Sequence, residues 1–184
     1  QTRLPGKTYS AQLIPTIVDL LKTHRSTIAD LEAIIVTGGP GSFTGIRIAL
    51  STAKGLAEAH GTPILAVSRL AVLAYKAATT AAVLDASRHE FYLGDFSSPT
   101  PRESLVSADL LLAQAQRLAQ NLAVCEASVH AVASGAILVE PPTAADALQF
   151  ALPRLRTRDF DNAVTLDGNY LRRSDAEIFS KPHP

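Results

Sequence analysis

Apolar positions along the chain follow a helical spacing in some stretches and form short β-branched runs in others. Leu13, Ile14, Ile17, Val18, Leu20 and Leu21 recur at helical spacing and predict a helix over residues 11–24 with a broad apolar face. Pro15 lies near its start, where a missing amide donor does least harm. Ser26 or Thr27 is placed to cap a short helical turn through Asp30 and Leu31. Residues 33–37 (Ala-Ile-Ile-Val-Thr) and 63–67 are short apolar runs of the kind that fill buried parallel strands. Between them, Phe43, Ile46, Leu50, Ala53 and Leu56 or Ala57 mark one side of a helix over 43–60, with Gly61 as its stop signal. A further helix is predicted over 68–78. Helix, strand, helix, strand, helix is the order of a parallel sheet built through crossover helices.

The pattern changes after residue 79. Residues 81–85 and 91–96 read as two strands around the polar turn Ser87-Arg88-His89-Glu90, hence a β-hairpin. Residues 97–101 read as a loop, 108–118 as a helix, 122–125 as a strand and 143–155 as an amphipathic helix. Residues 176–179 close the predicted pattern. No repeat and no low-complexity tract interrupts it. The change near 79–82 divides the chain into a first lobe, residues 1–81 with about 168–184, and a smaller second lobe, 82–167.

Composition narrows the classes of function. A hydrophobic fraction of 47% over 184 residues is enough for a real core. Zero formal net charge gives no global field toward nucleic acid or an anionic membrane. No stretch approaches the roughly 20 apolar residues that span a bilayer. Cys125 is the single cysteine, so no intramolecular disulfide forms, which suits the cytoplasm. A lone thiol of this kind reads first as a small buried apolar residue.

The densest chemical signal is Gly38-Gly39-Pro40-Gly41-Ser42-Phe43-Thr44-Gly45. Glycines ahead of a helix N-terminus can hold an anion on backbone amides. A Walker loop, however, ends in Gly-Lys-Ser/Thr, and this run ends Thr44-Gly45-Ile46. The three-glycine dinucleotide spacing is not met either. Gly39, Pro40, Gly41, Ser42 and Gly45 therefore read as a structural strand-to-helix turn, with Ser42 as the cap.

The other chemistries are thinly supported. His24, His60, His89, His130 and His183 include no helical i, i+4 pair, and one cysteine cannot build a thiolate metal site. Ser42 lacks the flanking glycines of a nucleophile elbow. Asp85, Arg88, His89 and Glu90 form a polar hairpin tip, more often a solvated surface than a site. Arg172 and Arg173 could fork onto phosphate and touch RNA, or could pair with Asp175 or Glu177. Finally, the helices 11–24 and 43–60 both carry broad apolar faces. If the sheet uses only one side of each, the surplus must meet another chain.

The run from Ile34 to Ile48, Ile-Ile-Val-Thr-Gly-Gly-Pro-Gly-Ser-Phe-Thr-Gly-Ile-Arg-Ile, followed by Ala53-Lys54-Gly55-Leu56-Ala57, resembles the signature of the TsaB (YeaZ) family. Thr8-Tyr9-Ser10-Ala11-Gln12-Leu13-Ile14-Pro15 is similar to that family's first helix. Asp85-Ala86-Ser87-Arg88-His89-Glu90-Phe91-Tyr92 is similar to its Asp-Ala-Arg-X-X-Glu-Val-Tyr hairpin, and Tyr170-Leu171-Arg172 to its C-terminal Tyr-Leu-Arg. Order and spacing match nearly end to end. Residues 97–136 match least and are short for the family.

The resemblance implies an α/β, actin-like/Hsp70-like (ribonuclease H-like) fold of two lobes. The family pattern opens with a β-strand and hairpin that would precede Gln1. Catalytic members of the superfamily grip nucleotide phosphate with that hairpin, so no ATP site is assigned here. The resemblance further implies a pseudo-enzyme. Its partners would be TsaD, which carries the metal, and the ATPase TsaE, in a complex that transfers threonylcarbamoyl to adenosine 37 of tRNA. No cofactor is expected on this chain; ATP and metal belong to the partners, and tRNA is met through the complex. The metal-binding His-X-X-X-His of TsaD does not occur in this sequence. By resemblance, the partner interface falls on Leu13, Ile17, Leu20, Leu21, Phe43, Ile46, Ala49, Leu50 and Ala53, and the same surface makes a homodimer when TsaD is absent. The competing readings are a metallopeptidase, as the superfamily's old glycoprotease label suggests, or an acyltransferase. They would require a metal or a cofactor pocket respectively.

Overall fold

The computed structural model describes residues 9–172. Two parallel strands, Ile34–Thr37 (β1) and Ile64–Val67 (β2), pair in register from Ile34 opposite Ile64 to Thr37 opposite Val67. Both are short and β-branched, and both of their faces are covered, as parallel pairing demands. On one face lies the helix Phe43–His60 (α2), whose Ile46, Leu50, Ala53 and Ala57 pack on Val36 and Ile64. On the other lies the helix Ala144–Arg156 (α6), whose Ala147 and Ala151 pack with Leu65, Val67 and Val72. The outer edge of β2 is closed by Asp161. Its N–H donates to the Ile64 carbonyl at 2.9 Å, and its carboxylate accepts the Ala66 N–H at 2.7 Å.

The second lobe is a five-stranded mixed sheet in the order β5-β4-β3-β6-β7. Ala81–Asp85 (β3) pairs antiparallel with Glu90–Asp95 (β4), and β4 with Arg102–Ser107 (β5). β3 also pairs parallel with Leu122–Val124 (β6), and β6 with Ile137–Leu138 (β7). Ala108–Leu118 (α4) and Ala127–Val132 (α5) cover one face, where Leu111 and Val129 are fully buried among Val83, Leu93 and Val124. Burying a side chain of this size contributes about 2 kcal/mol. The sheet fits the ribonuclease H-like lobe that the resemblance implied.

The helix Arg69–Lys76 (α3) joins the lobes. Its Leu70, Leu73 and Ala74 pack on Ala82, Leu84, Tyr92 and Ala123 of the second sheet. Its Val72 faces the other way, into the core under α6. Lys76 reaches Asp146 at 2.9 Å and so ties α3 to the start of α6.

Most predicted elements are present. The hairpin, the parallel pair and the helix stop at Gly61, with φ 66°, stand as expected. β5, α5, β7 and the short 3-10 turn Ala119–Asn121 have no counterpart in the predicted pattern. The lobe boundary also shifts, because α6 packs on β1 and β2 rather than on the second sheet. The segment 144–156, assigned to the second lobe by sequence, belongs with the first. Predicted residues 176–179 lie outside the described residues. Among the described residues no helix is long and apolar enough to cross a membrane.

Candidate functional site

The glycine-rich turn between β1 and α2 is fixed from three sides. The Gly38 N–H donates to Val67 at 3.0 Å, the Gly39 carbonyl accepts the Arg69 N–H at 2.7 Å, and the Gly38 carbonyl accepts the Asn169 N–H at 2.7 Å. Gly39 has φ 116°, and a Cβ there would lie 2.8 Å from the Asn169 carbonyl oxygen. Only glycine suits that backbone and that gap. Pro40 is fully buried, and the Ser42 hydroxyl caps α2 by accepting the Gly45 N–H at 3.3 Å. Gly39, Pro40, Gly41 and Ser42 lie between β1 and α2, Gly45 lies in the first turn of α2, and the backbone of Gly38 and Gly39 is committed to neighbouring segments.

Residues 168–172 cross between the lobes. Gly168 lies against Ile46, and Tyr170 packs on Phe43 with the rings tilted and their centroids 4.8 Å apart. The Asn169 amide donates to Glu103 on β5, and Glu103 also accepts the hydroxyl of Ser68, the cap of α3. Burial pushes the Glu103 carboxyl up, partly offset by those two hydrogen bonds. Arg172 meets Glu90 and donates to the Ser87 carbonyl at 3.1 Å.

These segments enclose a cleft of about 340 Å³ between the lobes, lined in part by Ser42, Arg69, Asp85, Arg88, Asn169 and Arg172. Its rim carries matched charges: Arg69 is 3.7 Å from Glu126, and Arg172 meets Glu90. Among the described residues, Arg172 is therefore paired with a protein carboxylate, that of Glu90. Arg173, with Asp175 and Glu177, lies outside the described residues. Cys125 beside this rim is half-buried, and burial followed by the Glu126 charge pushes its thiol up to about 11. Among the described residues, no group of three or more His, Cys, Asp or Glu side chains could hold a metal ion.

The predicted interface residues divide into two sets. On α2, Ile46, Leu50 and Ala53 are only 4–6% exposed and face the sheet. This corrects the sequence assignment: the apolar stripe of α2 is core, and those three cannot meet a partner. Ala49 is half-buried against the same core, and Phe43 is half-buried under Tyr170. Two residues outside the predicted set, Ile48 on the face of α2 away from the sheet and Leu56 on its side, are half-buried and join no core cluster among the described residues.

The other set lies on the helix Tyr9–Thr23 (α1); among the described residues, none from Ser10 to Thr23 joins a core cluster. At 100° per residue, Leu20, Leu13, Ile17, Leu21, Ile14 and Val18 form one continuous apolar arc of roughly 160°. Leu13, Ile17 and Leu21 are half-buried along its middle. The flanks are open: Ile14 is 50% exposed, Val18 38% and Leu20 41%. Ile14 and Val18 were visible in the helical pattern but were not singled out as interface residues.

A family model described as TsaD, tRNA N6-adenosine threonylcarbamoyltransferase, matches residues 3–135. The chain is 32% identical over 94 residues to the tRNA threonylcarbamoyladenosine biosynthesis protein TsaB of Escherichia coli K12, covering 48% of this chain and 41% of that protein. To the Bacillus subtilis TsaB it is 37% identical over 92 residues, 48% of this chain and 40% of the relative. An uncharacterized protein of Mycobacterium leprae is 30% identical over 177 residues, 94% of this chain and 46% of the relative. The chain spans about half the length, or less, of the curated relatives it matches. Among solved structures, an uncharacterized Pseudomonas aeruginosa protein described as similar to peptidase YeaZ superposes with TM-score 0.69 at 26% identity, over 88% of this chain and 83% of that one. YeaZ from Pseudomonas aeruginosa superposes with TM-score 0.70 at 24% identity, over 92% and 87%, and carries the fold alone. The two lobes are those of the actin-like fold, and the chain belongs to the tRNA N6-adenosine threonylcarbamoyltransferase family, within which it stands with the TsaB (YeaZ) proteins.

Proposed function

We propose that this chain is a non-catalytic partner subunit in the biosynthesis of threonylcarbamoyladenosine in tRNA, acting by binding a TsaD-type relative. The observation that carries the reading is α1: an apolar arc, half-buried along its middle and open along both flanks, that belongs to no core cluster among the described residues. Open apolar patches of this kind mark partner surfaces. The half-buried Ile48 and Leu56 of α2 would extend the contact, in place of Leu50 and its neighbours. Names of the relatives place TsaB proteins in threonylcarbamoyladenosine biosynthesis, which supports the same direction. The reading adds TsaE as a further partner, a homodimer through the α1 face when TsaD is absent, and the cytoplasm as the compartment. ATP and metal would be held by the partner subunits. Arg172 is left out of any RNA contact because Glu90 occupies it.

Reconstitution tests the proposal. The chain alone, incubated with tRNA, threonine, bicarbonate, ATP and the enzyme that makes the threonylcarbamoyl adenylate, is expected to modify no tRNA. Adding TsaD and TsaE homologues from the same organism is expected to yield modification that depends on this chain. Modification by the chain alone, or full activity of the partners without it, contradicts the reading.

A further inference from the structure

The turn between β3 and β4 is unusual for side-chain-bearing residues. Ser87, Arg88 and His89 sit in succession in the left-handed region, with φ of 61°, 57° and 60°. That region crowds Cβ against the backbone, so three consecutive non-glycine residues are held there only by their surroundings. Local bonds do part of this. The Asp85 carboxylate accepts the Ser87 N–H at 2.7 Å, and the Ser87 carbonyl accepts the Glu90 N–H at 3.1 Å. A further hold is distant in sequence: Arg172 spans both ends of the turn, donating to the Ser87 carbonyl at one end and meeting the Glu90 carboxylate at the other.

Arg172 lies in the crossing segment, and the segment is anchored independently three residues earlier. There Asn169 donates its backbone N–H to Gly38 of the first lobe and its side chain to Glu103 of the second. Ser87, Asn169 and Arg172 all border the inter-lobe cleft. Two anchors, Asn169 bonded to both lobes and Arg172 on the strained tip, connected by Tyr170 and Leu171 without regular secondary structure, make a mechanical link.

We propose that residues 168–172 are a latch between the lobes, whose docking locks the 87–89 turn in its left-handed form and holds the cleft narrow. Undocking lets the turn relax and opens the cleft along the hairpin side. The two anchors act together: loosening Asn169 loosens the tip, although Asn169 does not touch it. This inference does not depend on the partner-subunit reading.

Residue-resolved hydrogen exchange on the full chain tests it, with Arg172→Ala, Arg172→Lys, Asn169→Ala and wild type compared. The expected result is at least a tenfold rise in exchange at the Ser87 and Glu90 amides in Arg172→Ala and a smaller rise in Arg172→Lys. Asn169→Ala should produce a rise at the same two amides, while core amides of α2 such as Leu50 keep their wild-type rates. Unchanged exchange at Ser87 and Glu90 in Arg172→Ala overturns the latch. So does a tip that responds to Arg172→Ala but not to Asn169→Ala, because the segment then does not act as a unit. A rise spread evenly over α2 and the hairpin also overturns it, since that reports general destabilisation.

Discussion

Ser68 and Glu103 join the two lobes through one hydroxyl. Ser68 Oγ accepts the Leu70 and Ala71 N–H groups, capping α3, and donates its proton to the Glu103 carboxylate of β5. The cap of the helix that lies between the lobes is therefore also the link to the second lobe. Loss of the Ser68 hydroxyl removes two cap bonds and strips a half-buried carboxylate of a donor. Ser68→Ala is expected to cost about 2–3 kcal/mol, against about 1 kcal/mol for Ser42→Ala, which removes a single cap bond from α2. Urea denaturation of the two variants measures the difference; equal losses would contradict the double role.

Glu103 also gives a pH dependence. Its folded-state carboxyl is raised by burial above the ordinary value of 4.5. The folded state thus holds this proton more tightly than the unfolded chain, so the stability it contributes is full below the unfolded value and is lost as pH rises through the folded one. Glu103→Gln has no such proton. Its stability relative to wild type should rise between pH 4 and pH 7, read from urea midpoints at several pH values. A flat difference, or one that falls with pH, would show that the carboxylate is not penalised by its site.

Two glycines are expected to respond oppositely to the same change. Gly39→Ala forces φ 116° on an L residue and drives its methyl into the Asn169 carbonyl, at a cost of about 2 kcal/mol or more. Gly55 lies inside α2 with nothing within 4 Å of an added Cβ, so Gly55→Ala should stabilise by about 0.5–1 kcal/mol. Thermal melts of both variants check the signs.

Cys125 should be a slow nucleophile. With its thiol pushed up to about 11, only a minute fraction is thiolate at neutral pH, and half-burial hinders access further. Alkylation by iodoacetamide at pH 7.5 is expected to run well below the rate of a free cysteine peptide. It should approach that rate after denaturation. A rate equal to the peptide's in the folded protein would contradict the site as described.

Much of the fold was legible because its strongest elements carry redundant signals. Residues 43–60 combine a serine cap, a helical apolar stripe and a terminal glycine, and the helix observed has those bounds. β5 was missed because it is an edge strand whose Arg102, Ser104 and Ser107 face solvent, leaving Leu105 and Val106 as a weak pattern. α5 and β7 are six and two residues long, too short for periodicity to register, and they depend on the sheet for their conformation. What covers an apolar helix was less legible, for a related reason. A helical stripe records that residues are apolar, not what covers them. Leu50 and Leu13 look alike in sequence, yet one lies on β1 and β2 and the other joins no core cluster among the described residues. The Arg172–Glu90 pair spans the fold, and no local pattern relates its two residues; only the assembled lobes bring them together.

The central claim, that α1 is a partner-binding face, is tested most directly by the affinity of this chain for its TsaD homologue. Isothermal titration with wild type and with Ile14→Asp/Val18→Asp compares binding, and thermal melting of each protein alone serves as the folding control. Both substituted positions are exposed, so melting should shift little, whereas Leu50→Asp should unfold the first lobe. The account predicts that the double variant keeps its melting temperature and binds at least a hundredfold more weakly. A well-folded double variant that binds TsaD as tightly as wild type would contradict it.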